Sequence, residues 1–139
     1  MNALKPYALR VAFVVAVLGV GLSFWTPAYS ALNLPNALYG PGLVLIVLLA
    51  LLMPRFAGTP PWKTVHTLAL AVPMTVMLRV LVEGLFDPSS HNLWPLEAVI
   101  ATALGYICAG IGGGIGWLLW RARPSAQDDD STGAPKFRS

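Results

Sequence analysis

Apolar positions fill four long stretches of the chain, about 7–25, 38–53, 64–86 and 93–120, and the breaks between them are rich in Pro, Gly and Asn. A bilayer core of about 30 Å is crossed by roughly 20 helical residues. Each stretch is that long or nearly so, the second being the shortest. Pro41 and Gly42 near its start suit a first helical turn, where the missing proline N–H has no intrahelical partner to lose. The pattern predicts an all-α polytopic membrane protein: four transmembrane helices in an antiparallel bundle over residues 1–123. Residues 124–139, with Pro124, Asp128 to Asp130 and Gly133, have the composition of a short disordered cytoplasmic tail.

Composition agrees with this class. Charged residues make up 11% of the chain and hydrophobic ones 56%, with mean hydropathy +0.67, against roughly a quarter charged in a soluble domain. The single cysteine, Cys108, excludes an intrachain disulfide framework and a four-cysteine zinc site, and its apolar neighbours suggest a buried small hydrophobe. The pI near 9.4 is not a nucleic-acid signal, because the basic residues are scattered singly.

Their placement sets orientation instead. Lys5 and Arg10 precede or open the first stretch, Arg55 and Lys63 flank the break after the second, and Arg121, Arg123, Lys136 and Arg138 follow the fourth. The alternate breaks, 26–38 and 87–92, hold no Lys or Arg. By the positive-inside rule both termini are cytoplasmic, and Arg79 alone departs from the rule. Trp25, Trp62, Trp94, Trp117 and Trp120 all fall near the predicted ends of spans, where an amphipathic indole is favoured. Ala28-Tyr29-Ser30-Ala31 offers a small-x-small pattern like a signal-peptide cleavage site. The long apolar run before it, and the crowding by Trp25, Pro27 and Tyr29, favour an uncleaved anchor.

Candidate chemistry is gathered between Arg79 and Glu97. Glu83, Asp87 and Glu97 are all the acids outside the tail, and His91 lies among them. Arg79, Glu83 and Asp87 follow one another at i, i+4 and i+8 on a helix, forming one drifting stripe. Arg79 sits roughly 10 Å inward from Phe86, deep enough that an unpaired charge is costly. The spacing predicts an Arg79 fork bridging Glu83 and Glu97 and tying the third and fourth spans together. The same residues form a candidate ligand or proton site on the outer side. Asp87-Pro88-Ser89-Ser90 also reads as a turn. His66 and His91 belong to opposite ends of the third span, so one subunit cannot offer both to one heme or zinc, and neither metal nor cofactor is expected.

Ala101, Gly105, Ala109 and Gly113 recur every four residues in the fourth span, a small-residue face that lets helix backbones approach closely. Gly110 to Gly116 is not a dinucleotide fingerprint, because no strand precedes it. Pro73 falls inside the third span and predicts a kink. In size and span number the chain is similar to small multidrug exporters, yet those carry an essential acid in the first span and this one has none. The segment LRVLVEGLFDPSSHNLWPLE, 78–97, resembles bacterial inner-membrane proteins, which implies the inner (plasma) membrane as its location.

Short extramembrane breaks leave no room for a pocket of their own, and no nucleophile, base and orienting group converge at one depth. The expected function is therefore non-enzymatic: helix association as an accessory or scaffold subunit, or as a homo-oligomer, with lipid and membrane proteins as partners. The alternative is a small proton- or cation-coupled transporter using the outer acidic cluster.

Overall fold

The computed structural model describes residues 5–26, 40–86 and 93–121. They form five helices and, among the described residues, no strand: α1 (Lys5–Trp25), α2 (Pro41–Phe56), α3 (Pro61–Ala69), α4 (Ala71–Phe86) and α5 (Trp94–Arg121). Tyr7–Trp25, Pro61–Phe86 and Trp94–Arg121 are long and apolar enough to cross a membrane, and Pro41–Phe56 is a shorter apolar helix. The fold is compatible with a helical membrane bundle.

Proline marks the starts of α2 and α3. Pro41 occupies the first turn of α2, and α3 starts at Pro61 after an extended Pro60, positions where proline's fixed φ is already helical. The third apolar stretch accordingly begins at Pro61 rather than 64. Gly58, at φ 62°, follows the last residue of the α2 cap, Ala57. That left-handed position is one glycine takes without a Cβ penalty. Between α3 and α4 the helix is interrupted at Leu70. Pro73 has no N–H to give the carbonyl of Ala69, while the bonds on either side, Leu70 N–H to His66 O (3.2 Å) and Met74 N–H to Leu70 O (3.1 Å), remain. A kink was expected at Pro73; the helix is interrupted at the single residue Leu70, three positions before it.

Contacts between helices set their directions. Val17 meets Thr75 and Phe24 meets Arg79, so α1 and α4 run the same way. Gly112 lies on Val47 and Gly116 on Leu51, so α2 and α5 do likewise. Gly105 on Ala69 and Gly113 on Val65 set the α3–α4 pair opposite to α5, and Gly42 on Val20, with Tyr7 near Met53, sets α1 opposite to α2. The four apolar helical stretches, with α3 and α4 taken as one, thus alternate in direction along the chain.

Small residues make this packing possible. Ala12, Ala16, Val20 and Phe24 form the buried stripe of α1, and Glu97, Ala101, Gly105, Ala109, Gly112 and Gly113 that of α5. All of the expected Ala101–Gly105–Ala109–Gly113 face is spent inside the subunit. The opposite faces carry large apolar side chains open to the surroundings, such as Leu22, Val44, Leu81, Leu85, Ile107 and Leu118. So broad an apolar surface suits lipid rather than water. Cys108 is half-buried against the core rather than enclosed in it.

Basic and aromatic side chains pair at one end of the helices. Arg10 lies over Tyr7 (6.0 Å), Arg55 over Phe56 (6.0 Å) and Trp120 (5.7 Å), Lys63 over Trp62 (5.7 Å), and Arg121 over Trp117 (4.9 Å). These residues come from the start of α1, the end of α2, the start of α3 and the end of α5. Alternation of direction brings all four to the same end, and cation–π contact suits side chains that share an interface.

Candidate functional site

At the other end, α1 stops at Trp25, and a helix terminus leaves its last carbonyls without N–H partners. No basic residue lies in the last turn of α1 to meet them. Donors come from the next residue and from α4. The Thr26 hydroxyl reaches Leu22 O (3.1 Å) and Ser23 O (3.5 Å), and Arg79 on α4 donates through Nη1 to the carbonyl of Phe24. The guanidinium also lies over the Phe24 ring, 5.1 Å from its centroid. Arg79 is therefore a cap for a neighbouring helix, its positive charge against the negative end of the α1 dipole.

Its second partner is Glu83, one turn on: Nε to Oε1 is 2.7 Å, with Arg79 6% exposed and the Glu83 side chain 30% exposed. The difference in burial matters. Arg79 is enclosed, and Glu83 connects it to the surface. Glu97, 7% exposed, lies in the first turn of α5, which packs on α4. Acid in a first helical turn favourably meets the positive end of the dipole.

Further polar contacts hold α1 to α4. The buried Thr75 hydroxyl donates to Ala71 O (2.8 Å) in its own helix and to Val17 O (3.3 Å) across the interface, and the Trp25 indole N–H donates to Thr75 O (3.3 Å). Between apolar helices in lipid there is little hydrophobic driving force, so close packing and such bonds carry the association. Beside them opens a cavity of about 410 Å³, lined among the described residues by Trp25, Leu78, Arg79, Val82 and Glu83.

Of the residues singled out in the sequence, the structure places Arg79 against Glu83 and buries Glu97 near the same end. Asp87 and His91 lie outside the described residues. His66 is exposed on α3, edge-on to Trp62 (5.9 Å) and Tyr106 (5.5 Å). Among the described residues no three His, Cys, Asp or Glu side chains gather as a metal site. Phe24 and Thr75 belong to the cluster and were not marked by their chemistry in the sequence, and Trp25 was marked only as an interfacial indole. The available signal was indirect: the last turn of α1 has no basic residue of its own to meet its carbonyls.

No protein-family model, no curated protein and no solved structure matches this chain.

Proposed function

We propose that this is a small, non-enzymatic integral membrane protein of the bacterial inner membrane with four crossings and both termini in the cytoplasm. It acts by helix association, as a homo-oligomer or as an accessory subunit of a membrane assembly. The observation that carries the reading is a second pair of glycines on α5. Gly110 and Gly114 are exposed, one turn apart, and a Cβ added at either meets nothing within 4 Å. With the first small-residue face consumed inside the subunit, this pair leaves a shallow strip between exposed Ile107, Ile111 and Ile115 on which another helix backbone fits closely.

The polar cluster supports association over transport. Arg79 stands 2.7 Å from Glu83, so a cation approaching that carboxylate meets a fixed positive charge. Glu83 serves better as a counter-ion than as a carrier site.

Replacing both Gly110 and Gly114 with leucine is expected to weaken self-association at least tenfold, about 1.4 kcal/mol, while leaving the monomer folded. Single-molecule photobleaching in liposomes across a range of protein densities measures this, with Gly84→Leu, also in open space, as the control. An unchanged oligomer distribution in the double variant would sink the reading of this face. For orientation, the aromatic and basic collar supports a cytoplasmic placement of that end. A C-terminal green fluorescent protein fusion is expected to fluoresce, and a periplasm-dependent phosphatase fusion at the same point to be inactive.

A further inference from the structure

We infer that the basic and aromatic end of the bundle binds the phosphate of an anionic phospholipid, with Arg55 and Arg121 as its principal contacts. Arg10, Arg55, Lys63 and Arg121 reach this end from four different helices, and all four side chains are exposed. Among the described residues the only acids are Glu83 and Glu97, and both belong to the opposite end. No described side chain therefore balances the positive charge gathered here. Within the described part of the molecule these cations meet the faces of aromatic rings and form no ion pair. A ring supplies no oxygen acceptor. The guanidinium donors of Arg55 and Arg121 stay available for a phosphate, which a planar fork of N–H groups meets with two parallel bonds.

The apolar surface beside these charges selects the kind of phosphate. Arg55 lines a recess between α2 and α5 together with Leu51, Leu52, Leu119 and Trp120. Leu118 and Leu119 are 60% and 63% exposed, so α5 presents a leucine surface next to its terminal arginine. Trp120, beneath Arg55, and Trp117, beneath Arg121, line one neighbouring recess, which places both guanidinium groups over indoles of the same wall. Acyl chains lying on the leucines bring their phosphate to the level of the arginines. A soluble polyanion would leave the leucines uncovered. Basic recesses between transmembrane helices hold anionic head groups by this combination of charge and apolar wall. A phosphocholine head brings a cation of its own among fixed cations, so a lipid of net negative charge is preferred. Such binding rests on the chain lying in a bilayer, and on neither its orientation nor its association with another helix.

Native mass spectrometry of the full-length protein released from dodecylmaltoside micelles tests this, with dioleoylphosphatidylglycerol and dioleoylphosphatidylcholine as the titrated lipids. The glycerol lipid is expected to bind at least tenfold more tightly than the choline lipid. Arg55→Gln with Arg121→Gln, two exposed positions, is expected to lower phosphatidylglycerol affinity at least tenfold and leave phosphatidylcholine affinity unchanged. Lys136→Gln with Arg138→Gln removes the same charge from the tail and is expected to leave the preference intact. Excess inorganic phosphate is expected not to displace the lipid. Equal affinity for the two lipids in the wild type, an undiminished preference in the arginine variant, or an equal loss in the tail variant overturns the inference. Displacement by inorganic phosphate also overturns it, marking a site for soluble phosphate instead. Should the double arginine variant fail to fold, Arg55→Gln alone, expected to weaken phosphatidylglycerol at least threefold, decides in its place. The same spectra report subunit number, so lost lipid preference is read separately from lost self-association. A protein that stayed dispersed without detergent would sink the membrane reading itself.

Discussion

Replacing Glu83 with leucine is expected to destabilise the protein by about 3–5 kcal/mol, the range found when one member of a buried ion pair is removed and its partner stays charged. Arg79 is only 6% exposed, so the guanidinium left behind has little water to turn to. It retains the Phe24 carbonyl but loses the carboxylate 2.7 Å from its Nε. Removing both charges, in Arg79→Met with Glu83→Leu, is expected to recover most of the loss, because two apolar side chains of similar volume leave neither member of the pair behind as a charge. Recovery will be incomplete: the Phe24 carbonyl then loses its donor, about 1–3 kcal/mol for a buried acceptor left unsatisfied. Unfolding in mixed micelles titrated with dodecyl sulfate, followed by far-ultraviolet circular dichroism, measures all three variants. If Glu83→Leu alone matched the wild type within about 0.5 kcal/mol, a typical surface effect, the pair would have no structural role.

Much of this arrangement was legible in the sequence, for reasons that differ element by element. The apolar stretches are visible because lipid demands apolar side chains along the whole length of a span. Where a boundary depended on proline, composition misplaced it. Pro60-Pro61 looks like loop, yet Pro61 starts α3, and Pro54 lies inside the last turn of α2 rather than after it, carrying that helix on to Phe56. The Arg79–Glu83 contact follows from i, i+4 spacing, which is local. The Phe24 carbonyl does not, because a backbone acceptor has no residue type to betray it and its helix is far away in sequence. Thr75 was hidden in the same way: a lone threonine in an apolar run reads as filler until α1 is laid beside it. The spacing of Ala101, Gly105, Ala109 and Gly113 announced close approach but not to what. Only the fold distinguishes this face, pressed on α2, α3 and α4, from Gly110 and Gly114 on the other side of α5.

The sharpest test of that distinction is a leucine at Gly105, expected to cost about 3 kcal/mol or more, at or above the upper end of overpacking effects. A Cβ at this position overlaps the Ala69 carbonyl oxygen and crowds the Val72 side chain at 3.2 Å. Ordinary overpacking is relieved when a flexible side chain swings away, but here the obstacle is backbone. Ala69 is also the residue whose carbonyl Pro73 leaves without its intrahelical donor, so the break at Leu70 and the glycine opposite are two halves of one contact. With no Cβ at Gly105, α5 can press against that carbonyl where any other residue would hold it off. Gly110→Leu, one to two turns away and facing open space, is expected to leave unfolding unchanged or to stabilise the helix by up to about 1 kcal/mol, the propensity cost of glycine. The same dodecyl sulfate titration compares the two. Equal stability of Gly105→Leu and Gly110→Leu would mean that α5 does not pack on the α3–α4 junction, whereas a loss confined to Gly105→Leu separates the face that builds the monomer from the face left for another helix.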